Sequence, residues 1–471
     1  MRTFIVLVVL CAAASTAGFL SPASVEAATP APAITPAPSA TPQPVATPAP
    51  APSGQAPVVR LSLDDALRIT LANNLTYRAA EQDVLASEGQ LIQARGNAWP
   101  VVSAGYSYVH TQNAAFLFVP VSQPTGPPVL QKAPFSAINT NNVNATLQYA
   151  IYTGGEVQAI IGQAAANYSA SQSEYSAARA NVITDTTSAY FDLVLTRRTV
   201  VIDDEAVKVA QQNLDTADER YRAGTAARAD VLRQQVTLAN AQVEAVRAHN
   251  ADNLANAQLA NVLDLNLNTL IDPSEQLATH PESYSLPDIL SGAQARRPEV
   301  AAAIDAVTIA ELAIKAARAG TLPTVALAIS EASSKPNFVN VPQPQLSETL
   351  AVFWRLFDGG LTHGKVAQAS AQADKAKINL KQLRNGVDLE VRRAFFNYTA
   401  ALAADVAADS AQAAAAESLR VNQLRFRSGV GTSLELSDAL LAFTQTQVQY
   451  ARALAAERTA LVELKRSAGL L

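Results

Sequence analysis

Tyr152-Thr153-Gly154-Gly155 and Phe357-Asp358-Gly359-Gly360 stand 205 residues apart, and the residues after each pair run in parallel. Arg220-Tyr221-Arg222-Ala223-Gly224 is matched at the same spacing by Arg425-Phe426-Arg427-Ser428-Gly429, and Val243–Ala248 (VEAVRA) by Val448–Ala453 (VQYARA). Residues 154–250 therefore return as 359–455. Upstream, a second block repeats at a spacing of 223: Ala94-Arg95 up to Pro100 becomes Ala317-Arg318 up to Pro323. The same order in both halves means one structural unit, duplicated. The unit reads helix, strand, loop, strand, Gly-Gly, very long helix, turn, long helix. Such a chain reads as a wall element of a tube rather than a catalytic domain.

The Gly-Gly pairs, Gly154-Gly155 and Gly359-Gly360, open the longest elements. No proline occurs from Glu156 to Arg222, nor from Leu361 to Arg427. At 1.5 Å per residue each stretch would reach about 100 Å as a helix, which requires lateral partners along its length. A seven-residue spacing supplies the seam: Ile161, Tyr168, Tyr175, Val182 and Ala189, copied as Val366, Ala373, Leu380, Val387 and Ala394. That period implies left-handed supercoiling against neighbouring helices. Gly224 and Gly429 sit where a helix ends in a left-handed residue. Second helices, about 226–265 and 431–467, then return antiparallel, so each half contributes one hairpin with its tip at that glycine.

Before each long helix the period changes. Blocks 62–98 and 286–320 are helical, with Leu63, Leu67 and Leu71 as a stripe and Asp64 and Asp65 suited to a first turn. Each block stops ahead of Pro100 or Pro323. Candidate strands come next at 100–112 and 141–153, and at 323–333 and 347–358. Val102, Ala104, Tyr106 and Tyr108 alternate with Ser103, Gly105 and Ser107; Val143, Ala145, Leu147 and Tyr149 alternate with Asn142, Asn144, Thr146 and Gln148. These lengths suit a tilted membrane strand of roughly 9–11 residues, and Tyr106, Tyr108, Tyr149, Phe353 and Trp354 suit aromatic girdles. An ordinary soluble hairpin is the competing reading. The connecting loops, 113–140 and 334–346, are rich in Pro and polar residues, and the longer first loop accounts for the difference between the two spacings.

Composition narrows the function. Charged residues make up 16% and the net charge is −5, which argues against nucleic acid as a partner. Alanine at roughly a fifth of the chain fits long packed helices. Residues 1–28 read as a secretory signal: Arg2, an apolar run from Phe4 to Leu10, and a small-residue site at Val25-Glu26-Ala27. The one cysteine, Cys11, lies inside it behind the bulky Leu10, which makes a poor lipidation site. The processed chain would hold no disulfide and no thiolate metal site. No later stretch has the roughly 18 apolar residues of a membrane helix, so any crossing must use strands. Residues 29–57 hold ten prolines among Ala, Thr and Ser, an extended spacer that cannot bury a core.

Chemistry-bearing motifs are missing. Gly359–Lys365 (GGLTHGK) nearly matches a phosphate-binding loop, but Val366 stands where a magnesium-binding Ser or Thr is required, and the first copy has no lysine. His110, His249, His280 and His363 are scattered without ligand spacing. No nucleophile–base constellation appears. Neither an enzyme nor a metal or cofactor protein is expected.

The duplicated motifs resemble the TolC-like outer-membrane efflux proteins of Gram-negative bacteria, channels of tripartite efflux and type I secretion systems. The resemblance covers about residues 60–470. It rests on Leu61-Ser62-Leu63-Asp64-Asp65-Ala66-Leu67, Ala317-Arg318 up to Pro323, Arg297-Pro298-Glu299, Phe357-Asp358-Gly359-Gly360 and the paired Arg-aromatic-Arg-small-Gly tips. It implies a mixed α and β membrane protein: an internally duplicated protomer with four barrel strands and long antiparallel coiled-coil helices. Three copies would form a 12-stranded β-barrel in outer-membrane lipid and an α-helical tunnel in the periplasm. The first repeat would span 58–271 and the second 272–471. Open sheet edges are not tolerated in lipid, so four strands must find partners.

By the same resemblance, the partners are a periplasmic adaptor and an inner-membrane efflux or secretion pump. Arg220, Gly224, Thr225, Ala226, Arg425, Gly429, Val430, Gly431 and Thr432 are the expected adaptor-contacting tips. Glu435 and Asp438, one turn on, match acidic residues of the periplasmic gate, with Asp230 as the first-half counterpart. Threefold symmetry would gather six carboxylates at the axis and raise cation affinity. The alternative for this pair is a solvated helix start favoured by the macrodipole. Gly431 departs from members that carry a lock-forming arginine there. A non-channel periplasmic coiled-coil structural or adaptor protein is the rival reading of the chain. The cargo is not legible.

Overall fold

The computed structural model describes residues 58–111, 116–134, 139–275, 277–278, 281–336 and 343–471. The expected leader with Cys11, the Pro-rich segment and His280 lie outside the described residues.

The chain opens with strand β1 (Val58–Leu61), then helices α1 (Leu63–Asn73) and α2 (Leu75–Gly96). Block 62–98 is thus two helices, not one. The break is Asn74, whose backbone is extended at ψ 124°; its Oδ1 accepts from the Tyr77 N–H at 3.1 Å and its Nδ2 donates to the Val262 carbonyl. The second half breaks at the repeat-equivalent residue, Arg297, between α5 (Leu286–Arg296) and α6 (Pro298–Ala319). There the cause is Pro298, which excludes helical geometry from the residue before it. Arg297 is only 5% exposed and bridges Glu299 and Glu390, and Glu390 also takes Arg466.

Strands β2 (Val101–His110), β5 (Asn139–Tyr152), β7 (Thr324–Pro336) and β8 (Gln343–Phe353) form one antiparallel sheet in the order β2-β5-β7-β8. The last strand starts and stops earlier than expected. It ends at Phe353, and the Trp354 indole N–H instead donates to the Thr321 carbonyl at 3.1 Å. Two further pairs escape the sequence reading. Within the loop expected at 113–140, β3 (Phe116–Val121) pairs antiparallel with β4 (Val129–Pro134). Its apolar runs were masked by the surrounding prolines and polar residues. Near the other end of the first half, β6 (Leu270–Pro273) lies parallel to β1; each strand is only four residues, too short to show a period.

Cross-strand register sorts the sheet into two faces. Val102, Leu147 and Ile329 are opposed on one face, as are Leu327 with Tyr149 and Leu350, and Val325 with Val352. Ser103, Thr146, Ser330 and Ser347 are opposed on the other, where the Ser103 and Thr146 hydroxyls lie 2.6 Å apart. Glu331 and Glu348 are the acidic exceptions on the apolar face.

Two helices of 67 residues leave the sheet, α3 (Glu156–Arg222) and α7 (Leu361–Arg427), and after each tip a helix of 35 residues returns, α4 (Arg228–Val262) and α8 (Ser433–Ser467). Both long helices leave a Gly-Gly turn with positive φ at all four glycines. Near the sheet the lateral order is α2–α3–α6–α7, and towards the tips it is α4–α3–α8–α7. The centre of the wall is therefore α3, whereas its duplicate α7 lies at an edge. Val182 and Ala189 on α3, and Ala373, Val387 and Ala394 on α7, are the buried members of the seven-residue stripe. Among the described residues the core forms three clusters: around Tyr190 and Leu259, around Tyr398 and Leu464, and around Phe426 and Leu436. Among the described residues, no helix is long and apolar enough to cross a membrane.

Candidate functional site

Both hairpin tips are built the same way. The last turn of α3 closes with the Thr225 N–H on the Arg220 carbonyl at 2.9 Å and the Gly224 N–H on the Tyr221 carbonyl at 3.0 Å. In α7 the Val430 N–H reaches the Arg425 carbonyl at 3.0 Å and the Gly429 N–H the Phe426 carbonyl at 3.1 Å. This bond pair needs a left-handed residue, supplied by Gly224 (φ 75°) and Gly429 (φ 82°). Gly431 serves a different need. Its φ is not positive, but a Cβ there would stand 2.9 Å from Arg425 Cβ and from the Phe426 nitrogen. The start of α8 rides directly on the end of α7, and an arginine has no room at this position.

The two tips are fastened to each other. The Arg220 guanidinium donates to the Phe426 carbonyl at 3.0 Å and lies over the Phe426 ring, 5.0 Å from its centroid. Asp230 accepts from the Ser433 hydroxyl at the start of α8 and from the Ala227 N–H at 3.3 Å. Gln234, fully buried, donates to the Ser433 carbonyl at 3.2 Å and to the Ser437 hydroxyl at 3.0 Å, and Thr237 donates to the same hydroxyl at 3.2 Å. Beneath this polar clasp lies the third core cluster, drawn from all four helices.

Glu435 closes a capping box. The Glu435 N–H donates to Thr432 Oγ1 at 3.2 Å, and the Thr432 N–H donates to Glu435 Oε2 at 3.0 Å. Arg425 lies 3.8 Å from its other oxygen. The bond from the Thr432 backbone, then the Arg425 charge, hold this carboxyl below the usual glutamate range. At the first tip Asp230 makes the same return bond, but Ala227 has no hydroxyl to complete the box. Asp438 is exposed one turn further along α8. Of the expected tip residues, Gly224, Thr225, Gly429, Val430 and Thr432 are exposed, Ala226 and Gly431 half-buried.

The sequence reading missed the clasp residues Ser433, Gln234, Ser437 and Thr237. One signal was present: Gln234 occupies a seat whose repeat twin is Ala439, and a polar residue opposite a buried alanine marks a built contact. Among the described residues, no group of three or more His, Cys, Asp or Glu is arranged to hold a metal ion.

The family model for outer membrane efflux proteins matches residues 66–264 and 289–470. Protein CyaE of Bordetella pertussis is 27% identical over 340 residues, covering 70% of this chain and 71% of the relative. Outer membrane protein OprJ of Pseudomonas aeruginosa is 24% identical over 436 residues, covering 88% and 85%. The solved CmeC outer membrane channel of Campylobacter jejuni has the same fold, with a TM-score of 0.74 over 86% of this chain and 85% of that one, at 16% identity.

Proposed function

The chain belongs to the outer membrane efflux protein family, and from that premise we propose that three copies close side by side into one duct. It acts in the outer membrane as an exit channel, with the helices reaching into the periplasm. The observation that carries the trimer is a matching of edges. In the sheet the free edges are β2 and β8; near the sheet they are α2 and α7; towards the tips they are α4 and α7. One side of the protomer thus ends in β2, α2 and α4, and the other in β8 and α7. Head-to-tail repetition satisfies all three levels by a single rotation, and a closed ring leaves no strand edge in lipid.

Three copies give twelve strands, wide enough to leave a passage where eight would fill with side chains. The apolar face led by Val102, Leu147 and Ile329 turns to lipid, and the Ser103–Thr146–Ser330–Ser347 face lines the water-filled interior. At the far end the tips gather at the axis and form the gate. Asp438, exposed beside Glu435, presents carboxylates to the opening. Asp230, Ser433 and Gln234 hold the two hairpins of each protomer together where other members use an arginine at the position of Gly431. The exposed tip residues Gly224, Thr225, Gly429 and Val430 meet a periplasmic adaptor, which joins the duct to an inner-membrane pump. Transport through the duct is passive, and no step of it calls for a catalytic group.

Single-channel conductance of the purified protein in a planar bilayer tests this. The expected result is discrete steps, blocked by divalent cations added on the tip side. Glu435→Ala with Asp438→Ala should leave assembly intact while raising leak conductance or weakening cation preference. A protein that stays soluble without detergent and produces no steps would instead be the periplasmic coiled-coil protein.

A further inference from the structure

The duplication sets two buried carboxyls side by side for comparison. Helices α3 and α7 are equal in length, as are α4 and α8, so a spacing of 205 pairs them residue by residue. Asp252 on α4 is the twin of Glu457 on α8. Both are buried, Asp252 at 9% exposure and Glu457 at 0%. Asp252 has partners from α3: Arg197 Nε lies 3.1 Å from its Oδ1, and the Thr196 hydroxyl lies 3.5 Å away. In the second half those two residues are Ala401 and Leu402. The duplicate kept the carboxyl and lost the cation and the hydroxyl.

Among the described residues, Glu457 has in their place only Arg458, its neighbour on the same helix, and neither carboxyl oxygen has a hydrogen-bond partner. The nearest cation is its neighbour Arg458, with Nε 3.8 Å from Oε2; that guanidinium lies towards the Phe191 ring of α3, 5.8 Å from its centroid. From α7 the charged group facing Glu457 is Asp405, itself buried, and from the segment ahead of α5 it is Glu282, which is paired with Lys465 at 2.7 Å. Tyr398 lies in the same region, and its hydroxyl is bonded to the Glu282 backbone. Two of the three charges around Glu457 are therefore negative. An ionised carboxylate stripped of water and hydrogen bonds is strongly disfavoured, and such a group keeps its proton instead.

We propose that Glu457 enters the folded helical wall as the neutral acid and couples the packing of α8 against α7 to pH, so that rising pH drives it to ionise and loosens this hairpin. Burial is the main cause holding its proton, reinforced by Asp405 and Glu282 and opposed by Arg458. The sign comes from linkage. Over the interval between the ordinary glutamate value of 4.5 and the raised one, the folded chain holds one proton that the unfolded chain releases. Stability falls as pH rises through that interval and levels off above it. The first-half twin instead faces Arg197 at 3.1 Å. The wall would thus be pH-sensitive on the side of the hairpin whose tip carries Glu435 and Asp438. This coupling depends on packing inside one chain and stands or falls separately from the gate.

The test is denaturant unfolding of the full chain in detergent at a series of pH values from 5 to 8, comparing wild type with Glu457→Gln, which keeps the shape and removes the charge. The expected result is that the ratio of their unfolding constants climbs with pH by up to tenfold per unit for each protomer, then becomes flat. A ratio independent of pH overturns the proposal. Asp192 and Asp203 also hold their protons more tightly through burial, and the isosteric variant cancels their contribution. Should the variant not fold, infrared spectra of isotopically edited wild type, with labelled glutamate carboxyls, decide. A protonated glutamate band persisting above the ordinary value of 4.5 supports the proposal, and its absence rejects it. A second variant, Ala401→Thr with Leu402→Arg, restores the residues that Asp252 has and should abolish the pH slope.

Discussion

At the scale of single residues, the four glycines of the Gly-Gly turns are not equal. Gly154 and Gly359 share a left-handed backbone, φ 64° and 63°, but a Cβ on Gly154 would stand 2.9 Å from the Ala319 carbonyl oxygen and from Leu322 Cβ, whereas within the protomer Gly359 has open space. Gly359→Ala should cost about 1–2 kcal/mol for the backbone alone. Gly154→Ala adds a clash of about 1–3 kcal/mol, so thermal unfolding in detergent should rank it clearly lower. At the tip, Gly431→Ala should separate the start of α8 from the end of α7 and raise leak conductance, although its φ is ordinary. Glu435 gives a pH dependence opposite in direction to that of Glu457. Its carboxyl is held below 4.5 by the Thr432 N–H and Arg425, so its contribution is complete above the ordinary value and lost as pH falls through the lowered one. Leak conductance should rise on acidifying the tip side below pH 4.5, and Glu435→Gln, which keeps a capping acceptor, should remove that rise.

At the scale of elements, the sheet permits a paired substitution. Ile329 lies on the face shared with Leu147 and Glu348, and the adjacent Ser330 on the face shared with Thr146 and Ser347. Ile329→Arg should cost about 2–4 kcal/mol in the bilayer, read as impaired insertion into vesicles. Ser330→Arg should insert normally and shift ion preference towards anions. The same alternation in β2 and β5 was legible in the sequence because a period of two survives where neither face is fully buried. The long helices were legible for a related reason: nothing between Glu156 and Arg222 or between Leu361 and Arg427 interrupts them, and Gly224 and Gly429 mark their ends. What stayed hidden depended on distant contacts. Asn74 breaks its helix by reaching the Val262 carbonyl, across most of the first half. Strand β1 exists through its pairing with β6, more than 200 residues later in the chain. Glu435 read as a free gate carboxylate because its spacing from Asp438 was visible, whereas its engagement by Thr432 and Arg425 requires the turn to be built.

At the scale of the whole molecule, the duplicated halves are equivalent in sequence order but not in place. Helix α3 is covered on both flanks, while its twin α7 and the short helix α4 are left as edges. The consequence is visible on their surfaces. Val246 on α4 is 70% exposed and Leu254 63%; on α7 Val406 is 69% exposed, and Ile378, Leu389 and Phe396 are all above half. Apolar residues on the two outer helices of one protomer fit the seam that the proposed ring would cover. If α4 of one copy meets α7 of the next, Val246→Glu with Val406→Glu should place unpaired charges in each of three identical seams while touching nothing in the three internal clusters. The protomer should keep its helical circular dichroism, and light scattering in detergent should report single chains in place of trimers. Loss of helicity together with assembly would mean that the protomer has no fold apart from the ring. Retention of the trimer would mean that the seam runs elsewhere. In the proposed ring the seam is heterologous, so one charged position per protomer would weaken every junction, and closure, which a barrel in lipid requires, would fail at all three together.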